Sequence, residues 1–289
     1  MEPVRAPIPD ISSPVGLVAG NGRFPIEFAE NARARGLKVV AVGLKGEADK
    51  RIEELSESTT WVGVGQLGKL IKSLRKAGCR QVAFAGGVRR VNFVDGFRID
   101  WVGLRMLSKL RSFNDDSIIR GVIGEVERGG LEVIAASVLL QESVPSAGPL
   151  TRRTLTPEEV ANARIGWEAA RTIGTLDIGQ SVVIRNKTII AVEAVEGTDA
   201  TIRRAGDVRG EGGVLVKLAK SIQDLRIDLP AIGVKTIELM EENKLTALVV
   251  EAGRCIMLDP QAILQAAEAR GIAIVAAETI EQLDRSAAA

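Results

Sequence analysis

From Val15 onward, short apolar runs of β type alternate with segments of helical periodicity, and the runs tend to end in glycine. Val15 to Ala19 leads into Gly20-Asn21-Gly22, and Pro25 then suits the first turn of a helix reaching about Arg35. Gly36 closes that helix, and Leu37 to Leu44 is the next strand. A helix over about Gly65 to Ala77 precedes a strand at Gln81 to Ala85, which ends in Gly86-Gly87. Helices near Trp101–Arg111 and Asp115–Arg128 lead to a strand at Leu131–Ala136. This alternation confines the first half to a parallel sheet with helices on both faces. Such sheets bind ligands beyond the carboxyl ends of their strands.

The second half has a different rhythm. Gln141 to Pro157 carries three prolines, one glycine and several Ser and Thr, the composition of an interdomain linker. Thr156 is placed to cap a helix, with Pro157 at its first position and two glutamates in its first turn. Ser181–Ile184 and Thr188–Ala194, with Asn186 between them, form a hairpin pattern. A short helix at Thr198–Ala205, a strand around Val214–Val216, a helix from Pro230 to about Glu242 and strands at Ala247–Glu251, Cys255–Leu258 and Ile272–Ala276 follow. The expected fold is therefore two α/β domains joined by a linker. A Rossmann-like open sheet over residues 1–142 binds nucleotide, residues 143–156 link, and a mixed-sheet catalytic domain occupies residues 157–289.

Composition narrows the chemistry. The chain has no histidine, which removes Ser-His-Asp and Cys-His nucleophile systems and His-ligated metal centres. Carboxylates with a hard cation such as Mg²⁺ are the natural remainder. A net charge of +1 and 3% aromatics leave neither an electrostatic footprint nor stacking platforms for nucleic acid. MEPVRAPIPD lacks the apolar core of a signal peptide, and no apolar run approaches the roughly 20 residues that span a bilayer. The two cysteines, Cys79 and Cys255, read as buried free thiols.

Two regions carry candidate sites. Gly20-Asn21-Gly22 follows Ala19 at a strand-to-helix junction, where glycines admit close backbone approach and a helix N-terminus offers N–H groups to an anion. The full dinucleotide fingerprint is absent, with no third glycine in register and no convincing ribose carboxylate about 20 residues on, so an ordinary βα turn competes evenly. Gly86-Gly87 ends a second strand, followed by Arg89 and Arg90. The second region brackets the Val214–Val216 run with Glu196, Asp199, Asp224 and Asp228 and with Arg203, Arg204, Lys217, Lys220 and Arg226. Thr198 and Asp199 open a helix and serve either as caps or as ligand contacts. In an extended backbone Asp224, Arg226 and Asp228 share one face, either a surface ion pair or a holder for Mg²⁺ and phosphate. The apolar stripe Phe93, Phe97, Trp101, Leu104, Met106 and Leu107 reads as core, as dimer interface or as an acyl-chain pocket.

The segments AGNGRFP, FAGGVRR, LDIGQSVVI, VEAVEGTDATIRR, GGVLVK and QDLRIDLPAIGVKT, in this order from about Val15 to about Ala276, resemble the LpxI family. These are UDP-2,3-diacylglucosamine pyrophosphatases of lipid A biosynthesis. The EGTD and R-x-D-[LV]-P blocks together are highly specific; the one visible departure is Ser221, where many relatives have proline after the lysine. The resemblance implies Mg²⁺-dependent hydrolysis, with Mn²⁺ as a substitute, to UMP and lipid X by attack of water at the β-phosphorus. It implies Asp228 as the essential aspartate, with Asp228 and Asp199 the candidate metal ligands. Ala19, Gly20, Asn21, Gly22, Gly86, Gly87, Thr198, Asp199, Lys217, Gln223 and Arg226 are the expected substrate contacts. It further implies a homodimer, cytoplasmic and peripheral on the inner membrane that supplies its lipid substrate. The functional analogue LpxH uses histidine ligands, so a chain without histidine is not of that kind. The competing readings are another nucleotide-sugar pyrophosphatase and a non-catalytic nucleotide- or lipid-binding protein.

Overall fold

The fold is given by a computed structural model that describes residues 10–88, 99–110, 115–220 and 229–286. Two compact units divide between Gln141 and Glu142. In the first, strands β1 (Val15–Ala19), β2 (Val39–Leu44), β3 (Ser58–Val62), β4 (Gln81–Ala85) and β5 (Glu132–Ile134) form a parallel sheet in the order β3-β2-β1-β4-β5. Alternate residues of each strand point to opposite faces. Leu17, Ala41 and Ala83 enter one core with Ile26, Phe28 and Ala32 of α1 (Phe24–Ala34) and Ile52 of α2 (Ile52–Leu55). Val18, Val40 and Val82 enter the other. There they meet Leu70 and Leu74 of α3 (Leu67–Lys76), Met106 of α4 (Trp101–Leu107) and Val126 of α5 (Asp115–Arg128). Two such faces explain why these strands read as nearly continuous apolar runs.

The sheet order reverses between β1 and β4, and their carboxyl ends carry the two glycine turns. This is the topological switch point at which open α/β sheets bind ligands.

The second unit holds a six-stranded sheet, β6-β13-β11-β9-β7-β8. Its strands are β6 (Gly148–Pro149), β7 (Ser181–Arg185), β8 (Thr188–Val192), β9 (Val214–Lys217), β11 (Ala247–Glu251) and β13 (Ala273–Ala277). The three central strands β9, β11 and β13 are parallel; the β7–β8 hairpin and β6 join antiparallel at either side. Helix α6 (Pro157–Thr175) covers one face through Val160, Ala163, Trp167 and Ala170. Helices α7 (Thr198–Asp207), α8 (Val234–Glu242) and α9 (Pro260–Ala269) cover the other through Ile202, Ile237, Met240 and Ile263. Thr156 and Glu159 make the full reciprocal capping box at the start of α6, with Pro157 in its first turn.

Three differences from the sequence reading have physical reasons. Strand β3, STTWV, was not expected: it is an edge strand whose β-branched polar residues lack an apolar signature. Helix α8 starts at Val234, not at Pro230, because β10 (Ala231–Ile232) first pairs with β12 (Ile256–Met257). Residues 143–156, expected as a linker, carry β6 on the edge of the second sheet. Among the described residues, no helix is long and apolar enough to cross a membrane.

Candidate functional site

At the switch point of the first unit the backbone does the positioning. The Gly20 N–H donates to the Ala85 carbonyl at 2.8 Å, and the Asn21 N–H to the Gly87 carbonyl at 2.8 Å. Both glycines are required for this approach. A Cβ on Gly20 would stand 2.4 Å from the Gly87 carbonyl oxygen, and one on Gly86 2.3 Å from that of Asn21. Gly86 also has φ +83°, a left-handed conformation that favours glycine. The structure therefore brings Ala19, Gly20, Asn21, Gly86 and Gly87 together as one surface. Helix α1 begins just beyond Gly22, with Pro25 in its first turn. Beside the turn, Asn21 Nδ2 donates at 3.1 Å to Oε2 of Glu47, a buried carboxylate three residues past the end of β2.

In the second unit the centre is Lys217, the last residue of β9 and only 6% exposed. Its ammonium donates to the Thr198 hydroxyl at 3.0 Å and to the Ala231 carbonyl at 2.9 Å. Thr198 Oγ1 also lies 3.2 Å from Glu193 Oε2 and 3.2 Å from Ser181 Oγ. A hydroxyl has one proton to give, and the Glu193 carboxylate only accepts, so the Thr198 proton goes to Glu193 and Ser181 donates to Thr198. Lys217 has no carboxylate partner among the described residues. Two of its three N–H donors are used, and the third has no partner among them. A nearly buried ammonium without a counter-ion is costly unless an anion meets it. The adjoining N-terminus of α7, entered through Gly197 at φ +83°, adds backbone N–H groups and the positive end of a helix.

The strand end that carries Lys217 is held from behind. Glu251, 3% exposed at the end of β11, takes a bidentate pair from Arg171 at 2.7 and 3.0 Å and a further bond from Arg254 at 3.1 Å. Its Oε2 also accepts the Ala219 N–H at 2.9 Å, and Arg171 returns a bond to the Ala219 carbonyl at 3.2 Å. The Arg171 guanidinium lies 5.3 Å from the Trp167 ring centroid, which fixes its plane. On the far side of residues 221–228, the Ile256 N–H donates to the Pro230 carbonyl at 2.8 Å.

Other expected residues fall differently. Asp199 is brought to Lys235 of α8, with Nζ and Oδ2 2.6 Å apart. Among the described residues, no three acidic, cysteine or histidine side chains cluster to hold a metal. Asp199 alone, already neutralised by a lysine, does not make a site for a hard cation. Gln223, Asp224, Arg226 and Asp228, with Arg89, Arg90, Phe93 and Phe97, lie outside the described residues. Of the apolar stripe, Met106 is in the core, while Trp101 is 77% and Leu104 51% exposed. Both cysteines are free and buried; burial pushes the Cys79 thiol up to about 11 and the Cys255 thiol up to about 12, so neither is a ready nucleophile near neutral pH.

Residues 14–143 match the LpxI N-terminal domain, and residues 146–275 match the LpxI C-terminal domain. The chain belongs to the LpxI family. A protein of Caulobacter vibrioides named UDP-2,3-diacylglucosamine pyrophosphatase LpxI is 37% identical over 279 residues, covering 93% of this chain and 99% of that one. Solved structures match far less well. The biotin carboxylase domain of a thermophilic 2-oxoglutarate carboxylase is 13% identical, over 58% of this chain and 34% of that one, at a TM-score of 0.25. Rhizobium etli pyruvate carboxylase is also 13% identical, over 58% of this chain and 15% of that one, at 0.28. Superpositions of that quality carry no argument. Against the LpxI frame, sequence reasoning missed Glu47, Glu193, Ser181 and the Arg171–Glu251 pair. Glu47 had a signal, an acid just beyond the second strand. The others did not, because their partners are distant in sequence.

Proposed function

We propose that this chain hydrolyses the pyrophosphate bond of UDP-2,3-diacylglucosamine to UMP and 2,3-diacylglucosamine 1-phosphate, lipid X. The observation that carries the reading is the match to the Caulobacter relative along nearly its whole length. The geometry of the second unit supports it, since a pyrophosphate concentrates the negative charge that Lys217 lacks among its described neighbours. The third Lys217 N–H and the first N–H groups of α7 receive a phosphate oxygen and offset the charge that grows in the transition state. Thr198, held by Ser181 and Glu193, keeps the ammonium aimed. The glycine turns of the first unit take the nucleotide end. Asp228 is assigned, through the family block it occupies, to binding metal or activating water at the β-phosphorus. Mg²⁺, with Mn²⁺ as substitute, is the proposed cofactor, and when bound it neutralises pyrophosphate charge. A homodimer resting peripherally on the cytoplasmic face of the inner membrane completes the reading, since the substrate is a membrane lipid.

The test is hydrolysis in ¹⁸O-water followed by mass spectrometry of both products. Lipid X is expected to carry the label and UMP none. EDTA is expected to abolish turnover and Mg²⁺ or Mn²⁺ to restore it. Label in UMP moves the attack to the α-phosphorus, full activity after exhaustive chelation removes the metal, and intact substrate under every metal condition overturns the reading.

A further inference from the structure

Glu47 is a buried carboxylate with no role in the fold's cores. It stands just past β2, the strand next to β1 on the side away from β4. Its position is fixed by the backbone: the Glu47 N–H donates to the Leu44 carbonyl at 3.1 Å, and the Ala48 N–H to the same oxygen at 3.0 Å. Its side chain reaches the glycine turn, where Oε2 accepts from Asn21 Nδ2 at 3.1 Å. Asn21 is itself immobilised by the backbone bridge to Gly87. A carboxylate has about four acceptor sites, and the Asn21 amide takes one. Burying a charge at the rim of a sheet, rather than replacing it by an apolar residue, is costly and calls for a polar ligand.

The topology says which ligand. In open parallel sheets a nucleotide phosphate lies over the first glycine turn, and its sugar lies over the end of the neighbouring strand. An acid there accepts the vicinal hydroxyls of the ribose. We propose that Glu47 is the ribose-recognising residue of this chain, accepting the 2′- and 3′-hydroxyls of the nucleotide, and that it orients Asn21 toward the same ligand. The assignment rests on the nucleotide binding at the glycine turns, as proposed above, and deepens that reading into a selection for ribonucleotides.

The test measures binding of UMP and of 2′,3′-dideoxy-UMP to the full chain by calorimetry, in the wild type and in Glu47→Gln. Wild type is expected to bind UMP about ten- to a hundredfold more tightly than the dideoxy nucleotide, the range of one or two charge-assisted hydrogen bonds. Glu47→Gln is expected to bring UMP down to the dideoxy level while changing dideoxy-UMP affinity less than about twofold. A purely structural role, holding Asn21, would weaken both nucleotides equally and leave their ratio intact; that result overturns the proposal. So does a wild type that does not discriminate between them, an outcome that needs no folded variant. Hydrolysis of UDP-2,3-diacylglucosamine by the wild type, run alongside, separates the two readings. Turnover with an unchanged UMP-to-dideoxy ratio sinks Glu47 alone, whereas no turnover and no UMP binding sinks both.

Discussion

Lys217 shows how one side chain acquires a chemical role from its surroundings. Ser181 on β7 and Lys217 on β9 are register partners, so the sheet itself sets the hydroxyl and the ammonium beside Thr198. The Lys217→Met variant keeps most of the stem's volume and removes the charge. Its kcat is expected to fall by about a hundredfold or more, the usual consequence of losing a charge-stabilising donor. Asp228→Asn is expected to lose nearly all turnover as well, but to keep substrate affinity. Lys217→Met should bind both substrate and inorganic phosphate more weakly. Steady-state kinetics with equilibrium binding tells the two apart: near-normal kcat in Lys217→Met would return that residue to a structural role. At this scale the sequence showed Lys217, Thr198 and the glycine turns, because each lies at a junction between elements. It could not show Glu193 or Glu251 as their supports, since those bonds join residues brought together only by the sheet.

Helix α6 is the element whose sequence signals were clearest, and it allows a quantitative check. The Glu159 carboxylate accepts from the Thr156 N–H at 2.9 Å, from Arg153 Nη2 at 2.7 Å and from the Thr246 hydroxyl at 2.6 Å. Burial pushes its carboxyl upward, but Arg153, the Thr156 N–H and Thr246 outweigh that and hold it below the usual carboxylate value of 4.5. A folded-state pKa below the unfolded one gives stability that is fully present above about pH 4.5 and is lost as pH falls through the folded value. Glu159→Gln is therefore expected to cost about 1–3 kcal/mol at pH 7, with a gap from wild type that narrows steadily below pH 4.5. Urea unfolding at neutral and acid pH measures both quantities, and a gap constant down to pH 3 would show that shape rather than charge is at work. Elements with such local chemistry were legible, as the Thr156-Pro157 start of α6 shows. Strand β3 was not, because an edge strand of Ser, Thr and Trp owes its form to pairing with β2.

At the scale of the whole molecule, the two-domain α/β plan was legible because each sheet has two apolar faces, and buried parallel strands advertise themselves as runs. The stretch between the halves was harder to read. Its prolines and polar residues have the composition of a linker, yet Pro149 lies in an edge strand, where a missing N–H is tolerated. Around it, the Leu150 N–H donates to the Ile274 carbonyl at 2.8 Å, and the Ile274 N–H to Thr151 Oγ1 at 2.9 Å. Pro145 accepts from the Gly253 N–H at 3.0 Å, and Leu155 is fully buried in the α6 core. These contacts all belong to the second unit, so a chain begun at residue 142 retains them and one begun at residue 157 does not. Losing a buried leucine at roughly 1.5–3 kcal/mol, with several hydrogen bonds at about 0.5–1.5 each, removes a large share of the 5–15 kcal/mol typical of a domain. Residues 142–289 are expected to unfold in urea as one cooperative transition. Residues 157–289 are expected to unfold at a much lower midpoint or without cooperativity. Equal midpoints for the two would mean that residues 142–156 add nothing to this unit and serve only to connect.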